Sequence, residues 1–517
     1  VCFETLSRDT LVFVSVSTGG SYDMSSGRAN PPPLKIAPII VVGIPPGAMT
    51  LAILILFKTD IEKDLGLSAT LATVALIAAP LIHAAVIMPV ASLGDRLGRR
   101  KLFAVALLLG ILGGAICFSA QSPALFIIGR LITGLGEGGV VALALPLLVS
   151  AEPPERLGDA IGGWVATVAG STIGLLLISG MWIGNSLGWQ PAFLVVPAIN
   201  VVLLVILKLT VEETAKIRKK GNPLAMVVLG VGMTALVLGF TLIGEYYANP
   251  LLWILLLVCL AAFPYWYFLE NRSDNPTFPV YLLRRPFFIL ASLGSSLWLV
   301  AVSFYYLSIA DLFQEIYGLS PAELTFWIVP MFAIGIATSL FVGKLLNSGG
   351  KPGVLIVVGL ILSMVGFAIT LAAGAELNFF VFVPATILLG AGPHVIAPAV
   401  MQVFVLEAPP KSLGPVTSWH DITGQFGISL GIAGLSLILV AFDPVPLSGG
   451  SATPSPAQVS GYLTAYHDVA LFAFAILFVG ALASVFCIRW GRRELASERP
   501  CPHDLRQDIC AACAATE

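Results

Sequence analysis

Apolar runs of roughly the twenty residues that a helix needs to cross the hydrocarbon core of a bilayer recur along almost the whole chain, separated by short charged or Gly/Pro-rich stretches. The pattern predicts fourteen spanning helices. Six come first, over Leu34–Phe57, Ala69–Leu93, Leu102–Ala120, Pro123–Val149, Leu157–Gly180 and Pro191–Leu209. A charged linker, Val211–Gly221, leads to two more, Leu224–Gly244 and Leu251–Leu269. Beyond a polar stretch lie the last six: Phe287–Leu312, Ala322–Leu346, Val354–Ala373, Phe379–Leu406, Leu413–Ala441 and Val469–Trp490. The Ser/Pro/Gly-rich stretch Asp443–Tyr466 reads as the one long loop late in the chain. The expected division is a tail (1–33), a first six-helix bundle (34–210), a linker with two extra helices (211–286), a second bundle (287–490) and a tail (491–517).

Charge placement tests this count, because cytoplasmic loops retain Lys and Arg. With the N-terminus inside, all 27 basic residues except Lys58, Lys63 and the intrahelical Arg130 fall on the cytoplasmic side. A wrong helix count would scramble that alternation. The expected placement is therefore a cell membrane, plasma or inner, with both termini cytoplasmic. Composition agrees: 57% of side chains are hydrophobic and 11% charged, too little polar surface to coat water-soluble domains. The net charge of −2 carries no message on its own, because in a membrane protein the position of each charge matters more than the sum, and no nucleic-acid partner is expected. Among the seven cysteines, three sit in apolar runs as small hydrophobes, and no disulfide framework is implied. Cys510-x-x-Cys513 with Cys501 and His503 is a weak metal pattern without a second pair, so no metal or cofactor is expected. Before Pro33 the longest apolar stretch, Leu11–Val16, is too short for a signal-peptide core.

After the second segment the chain reads Ala91-Ser-Leu93-Gly94-Asp95-Arg96-Leu97-Gly98-Arg99-Arg100-Lys101. A topogenic basic loop explains the arginines but not the Asp and Gly at these offsets. Gly98 permits close approach, and Asp95 with the basic cluster suits charge pairs and a helix-end contact. This loop resembles the signature loop of the major facilitator superfamily, with Ala91 where the family has a glycine. A weaker copy follows 252 residues later, Gly343-Lys-Leu345-Leu-Asn347-Ser-Gly-Gly350-Lys351, with Asn347 in place of Asp95. The resemblance implies an all-α polytopic fold of two six-helix bundles related by duplication, with two helices inserted between them. That layout resembles the fourteen-helix drug:proton antiporters. The stretch Glu270–Pro276, the stretch Gln314–Pro321 and Gln425-Phe-Gly427 are similar to that family as well. Two departures bear on direction of transport: Thr50 stands where the family has an acid in its first helix, and Gly170-Ser171-Thr-Ile-Gly174-Leu175 only partly matches the antiporter motif.

An ionised group at mid-membrane costs about 2.5 to 3.5 kcal/mol on insertion scales, so each one asks for a reason. Arg130 and Glu137 lie two turns apart on one face of segment 4. Arg130 followed by Gly134 matches the superfamily's pattern there, and organic-anion branches carry a similar Arg with Glu. Glu137 is expected to carry a proton and Arg130 to tune it or meet an anionic substrate; a structural polar pair is the alternative. The repeat offset sets His394 in segment 12 opposite Glu137, and in the family layout segments 4 and 12 line the central cavity. His394, His83, Gln425 and the pair His420-Asp421 are candidate cavity residues, with interhelical hydrogen bonding as the plain alternative. Asp95, Arg96, Gly98, Arg99 and Arg100 are the expected conformational latch. Two look-alikes, Gly134-Leu-Gly136-Glu-Gly-Gly139 and Gly427-Ile-Ser429-Leu-Gly431, fit a dinucleotide fingerprint and a nucleophile elbow in form, but neither follows a strand. The expectation is a secondary transporter, not an enzyme. It couples protons to efflux of a hydrophobic or amphipathic small molecule; proton-linked organic-anion transport stays open, and a channel or intramembrane enzyme is remote.

Overall fold

In the computed structural model the described residues are 34–47, 53, 57–67, 69–179, 187–214, 216, 221–246, 249–409, 412–442 and 455–497. The expectations for Thr50, for the two tails and for the Cys510/Cys513 pattern lie outside them. Every regular element among the described residues is helical. The fourteen principal helices begin with α1 (Ile36–Gly47), α2 (Ala69–Leu97), α3 (Arg99–Phe118), α4 (Pro123–Ala151), α5 (Leu157–Leu176) and α6 (Val195–Thr210). Then come α7 (Pro223–Tyr246), α8 (Pro250–Asn271), α9 (Pro286–Asp311) and α10 (Pro321–Asn347). The last are α11 (Pro352–Thr370), α12 (Phe379–Glu407), α13 (Leu413–Phe442) and α14 (Pro456–Ser497). Twelve described helical stretches are long and apolar enough to cross a membrane; the other two spans are α1, of which twelve residues are described, and the 30-residue α13.

Helix starts follow the local chemistry. Proline occupies the first turn of α4, α8, α9, α10 and α11, where its missing N–H costs nothing. Ser320 and Glu323 cap α10 reciprocally: the Ser320 hydroxyl accepts from the Glu323 amide at 3.3 Å, and the Glu323 carboxylate accepts from the Ser320 amide at 2.8 Å. Two elements differ from the hydropathy reading. A short helix, Lys58–Asp64, occupies the predicted loop after α1. And α14 begins at Pro456, inside the expected late loop, because Tyr462 and Tyr466 bury themselves on this polar turn-rich stretch.

The packing is duplicated. In the first half α4 packs on α2 and α3, α3 on α6, and α1 on α4, α5 and α6. Raising each helix number by eight gives the second half: α12 on α10 and α11, α11 on α14, and α9 on α12, α13 and α14. The halves meet along two seams that the same rule exchanges, α5 with α10 and α13 with α2. The inserted α7 packs on α8 and lies against both α2 and α13.

Small residues make the first half tight. Gly134 and Gly138 of α4 sit on the α2 backbone at Ala79 and His83, while Gly136 and Gly139 sit on α3 at Ala106 and Gly110. Without a hydrophobic drive between helices in lipid, such close backbone approach supplies the association. Outside the bundles, the Glu152 carboxylate after α4 accepts from the Lys35 amide at 3.1 Å, tying the start of α1 to the end of α4.

Candidate functional site

The basic loop between α2 and α3 is built by backbone geometry first. Gly98 has φ +113°, a region open to glycine and rarely to other residues, and it lets α3 restart one residue after α2 ends. Its first amides are then capped from a distance. The Glu213 carboxylate, in the linker after α6, accepts from the Arg100 amide at 3.0 Å and the Lys101 amide at 3.2 Å, and the Thr214 hydroxyl accepts from the Arg99 amide at 3.2 Å. A carboxylate at a helix N-terminus meets both free donors and the positive end of the dipole. The Arg100 guanidinium donates to the Val211 carbonyl at 2.9 Å, while Arg96 points outward and is exposed.

This frame fixes the direction of the Arg99 side chain. Buried, it pairs with Asp95 at 2.8 Å and donates to the Pro146 carbonyl of α4 at 3.1 Å and to the Ser150 hydroxyl. The second oxygen of Asp95, itself buried, accepts at 3.3 Å from the backbone amide of Gly414 at the start of α13, in the other half. A β-carbon on Gly414 would stand 2.8 Å from the Asp95 carboxylate. The second seam repeats the contact: the Asn347 side-chain oxygen, at the end of α10, accepts at 2.7 Å from the backbone amide of Gly158 at the start of α5. Asp95 and Asn347 are equivalent by the loop repeat, and Leu157-Gly158 and Leu413-Gly414 open equivalent helices. One seam is charged and the other neutral.

In the interior of α4, Arg130 is fully buried and its Nε donates to the Ala75 carbonyl of α2 at 3.4 Å. Glu137 is the middle residue of this 29-residue helix, is partly buried, and lies within electrostatic reach of Arg130, as does the Cys117 thiol of α3. In the second half, Nδ1 of His394 lies 2.8 Å from the Gly390 carbonyl one turn earlier on α12. A carbonyl only accepts, so this nitrogen carries the proton and the neutral ring keeps its lone pair on Nε2. The ring rests on Gly335 of α10, where a β-carbon would come within 2.6 Å of it, and meets Phe332 edge-on. His83 is buried on α2, its backbone under Gly138.

On α13 the two neighbours His420 and Asp421 part ways. His420 is buried in the second half: the Ser295 hydroxyl of α9 donates to its carbonyl at 2.9 Å and contacts its Nδ1 at 2.8 Å, and the ring stacks on Phe404 of α12. Asp421 is partly buried, as is Gln425 one turn on. Among the described residues Asp421 has no hydrogen-bond or ion-pair partner. The two enzyme look-alikes are helix-packing glycines, Gly427 on Ser296 and Gly431 on Ser303 of α9 being the second set.

Glu213, Thr214, Gly158 and Gly414 escaped the sequence reading. Their contacts each span more than 110 residues and leave no local pattern. The repeated Leu-Gly at the starts of α5 and α13 was the available signal.

Comparison with known proteins places these features among transporters. A family profile described as Major Facilitator Superfamily matches residues 46–432. The chain is 28% identical over 394 residues to an uncharacterised transporter of that type from Bacillus subtilis, covering 72% of this chain and 73% of the relative. It is 27% identical to the tetracenomycin C resistance and export protein of Streptomyces glaucescens, with 82% and 79% covered, and 24% identical to the puromycin resistance protein of Streptomyces alboniger, with 85% and 88% covered. Among solved structures, the human organic anion transporter MFSD10 superposes with a TM-score of 0.60 at 14% identity, covering 86% of this chain and 98% of that one. An inward-facing bacterial homologue of the human lysosomal transporter Spinster superposes at 0.56 with 17% identity, covering 88% and 96%.

Proposed function

This chain belongs to the Major Facilitator Superfamily, and we propose that it is a proton-coupled exporter of a hydrophobic or amphipathic small molecule. The relatives named for resistance and export support the direction and the kind of cargo. The observation that carries the coupling is the placement of Glu137 at the centre of α4, beside the fully buried Arg130. Alternating access rocks the two halves about a midplane site, and coupling requires that the two states differ in proton affinity. A carboxylate whose hydration and distance to a guanidinium change between states meets that requirement.

The positive-inside rule makes the basic end cytoplasmic, with both termini there and the protein in a plasma or inner membrane. Asp95 on Gly414 and Asn347 on Gly158 then close the cytoplasmic face, and both contacts must part for cargo and protons to exchange on that side. The organic-anion alternative needs Arg130 open to the substrate. Its complete burial favours service to Glu137 instead. No residue is assigned a catalytic step.

The test is flux in proteoliposomes under an imposed pH gradient. Glu137→Gln should abolish gradient-driven accumulation while leaving substrate-for-substrate exchange at least partly intact. Full gradient-driven transport by that variant removes Glu137 from the coupling role.

A further inference from the structure

Among the twelve described stretches long and apolar enough to cross a membrane, α8 is the least buried. Leu257, Ala261, Pro264 and Phe268 are all exposed, and their i, i+4, i+7, i+11 spacing makes one stripe along the helix. The next position of that stripe is Arg272, which caps the C-terminal end of α8. An outward apolar track therefore runs into a guanidinium.

That end of α8 carries more positive charge than the protein itself uses. It lies level with the basic loop after α2, since Gly221 touches both Ser92 of α2 and Thr277 of the loop after α8. Between Glu270 and Pro286 three arginines, Arg272, Arg284 and Arg285, are exposed. Of the two acids in the same stretch, Glu270 is buried and turned to the loop backbone, accepting from the Thr277 and Phe278 amides at 2.7 and 3.4 Å. Only Asp274 is exposed. At this end of the molecule Arg99 and Arg156 pair with carboxylates and Arg100 donates to a carbonyl. Among the described residues, none of Arg272, Arg284 and Arg285 is ion-paired.

Two of the three are held instead against aromatic rings of α8. The Arg272 guanidinium lies 4.2 Å above the Phe268 ring, which stacks with Tyr265. Arg284, at the end of the short 3-10 turn Val280–Arg284, donates to the Tyr267 hydroxyl at 2.8 Å. Because that oxygen accepts from Arg284, the Tyr267 O–H is left to donate to another group. A ring positions a guanidinium without neutralising it, and Tyr267 and Phe268 are consecutive. Two uncompensated guanidiniums and a phenol are thus gathered at one helix end.

Guanidiniums with a neighbouring hydroxyl donor suit phosphate oxygens, and basic sites at this side of a membrane meet an anionic leaflet. The stripe supplies the remainder of the ligand. From Leu257 to Phe268 is about 16 Å at the helical rise, half of a hydrocarbon core of about 30 Å and so the reach of one acyl chain. We infer that the cytoplasmic end of α8 is a binding site for an anionic glycerophospholipid. Its phosphate sits on Arg272, Arg284 and the Tyr267 O–H, Arg285 adds charge, and one acyl chain follows the stripe. A zwitterionic lipid brings an ammonium that the surplus positive charge repels, and a soluble phosphate leaves the stripe unused. A lipid held there touches both α8 and the approach to α9, tying the inserted pair to the second half. Only the choice of leaflet rests on the orientation argued above.

Native mass spectrometry of the purified, delipidated full chain, titrated with phosphatidylglycerol or with phosphatidylcholine of the same acyl chains, tests this. Wild type should bind its first phosphatidylglycerol at least tenfold more tightly than phosphatidylcholine. Arg272→Gln with Arg284→Gln should remove that preference at an unchanged melting temperature, Arg272→Lys with Arg284→Lys should restore most of it, and Arg489→Gln, at an exposed arginine of α14, should leave it within about twofold. In wild type, phosphatidylglycerol with a photoactivatable acyl chain should cross-link within residues 254–268. Equal affinity for the two lipids, an undiminished preference in the double Gln variant, the same loss in Arg489→Gln, or cross-links confined to other helices overturns the assignment. Displacement of the lipid by millimolar glycerol 3-phosphate would replace it with a soluble phosphate ligand. None of these measurements involves flux or a gradient, so the exporter reading is judged separately.

Discussion

Asp95 holds two partners with two different oxygens, the Arg99 guanidinium of its own half and the Gly414 amide of the other. The ion pair orients the carboxylate, and the backbone contact spends that orientation on the seam. Asp95→Asn retains an oxygen for Gly414 but loses the charge that Arg99 grips. Transport should fall by about an order of magnitude, the cost of roughly 1.4 kcal/mol, while the purified variant stays monodisperse with a near-native melting temperature. Unchanged initial rates would reduce the loop to a topology signal. The charged ends of this arrangement were legible in the sequence, because Asp and Gly at fixed offsets in a basic loop have no topogenic purpose. The donating amide was not, since the first-turn N–H groups that a helix leaves free are alike in sequence and only the folded seam selects that of Gly414.

Helices α5 and α13 begin with the same Leu-Gly pair and present it to equivalent partners, so the two seams should respond alike to the same insult. A methyl on Gly414 would meet the Asp95 oxygens at 2.8 Å and the Ala91 carbonyl at 3.0 Å; one on Gly158 would meet Asn347 at 2.6 Å and the Gly343 carbonyl at 2.7 Å. Contacts this close with backbone cannot be relieved by a side-chain rotation. Gly414→Ala and Gly158→Ala should each open the cytoplasmic face, raising several-fold the labelling rate of a cysteine placed at Ser418 in a cysteine-free background. Protection equal to that of the parent in both variants would mean that these seams do not hold the face shut. At this scale hydropathy located nearly all the helices, because a bilayer leaves few other ways to satisfy twenty consecutive backbone groups. It missed the early start of α14 and the Lys58–Asp64 helix for one reason. Both are polar by composition, and both are fixed by burial of a few residues, Tyr462 and Tyr466 in the first case and Ile61 in the second.

The inserted pair α7 and α8 spans the seam between the halves, so in a rocking transporter it must travel with one of them. Its contacts are unequal. Toward the second half it makes aromatic contacts at both ends: Trp266 of α8 stacks on Trp419 of α13 with ring centroids 5.5 Å apart, and Phe240 of α7 meets Phe426 at 6.4 Å. Phe278, in the loop after α8, joins Trp419 at 4.9 Å, and that loop is itself held by the buried Glu270 carboxylate, which accepts from the Thr277 amide at 2.7 Å. Toward the first half the described contacts are aliphatic: Gly230 lies against the Ala85 carbonyl of α2, and Leu229 and Met233 share an apolar cluster with Ile87 and Met88 of α2. Stacked and edge-on rings fix a relative geometry more specifically than aliphatic contacts do. The insert should therefore move with the second half and slide along α2. In a cysteine-free background, a short bifunctional thiol cross-linker between Gly230→Cys and Ala85→Cys should block transport. The same reagent between Phe240→Cys and Phe426→Cys should leave at least half of the parent rate, and a reversal of these two results would attach the insert to the first half instead.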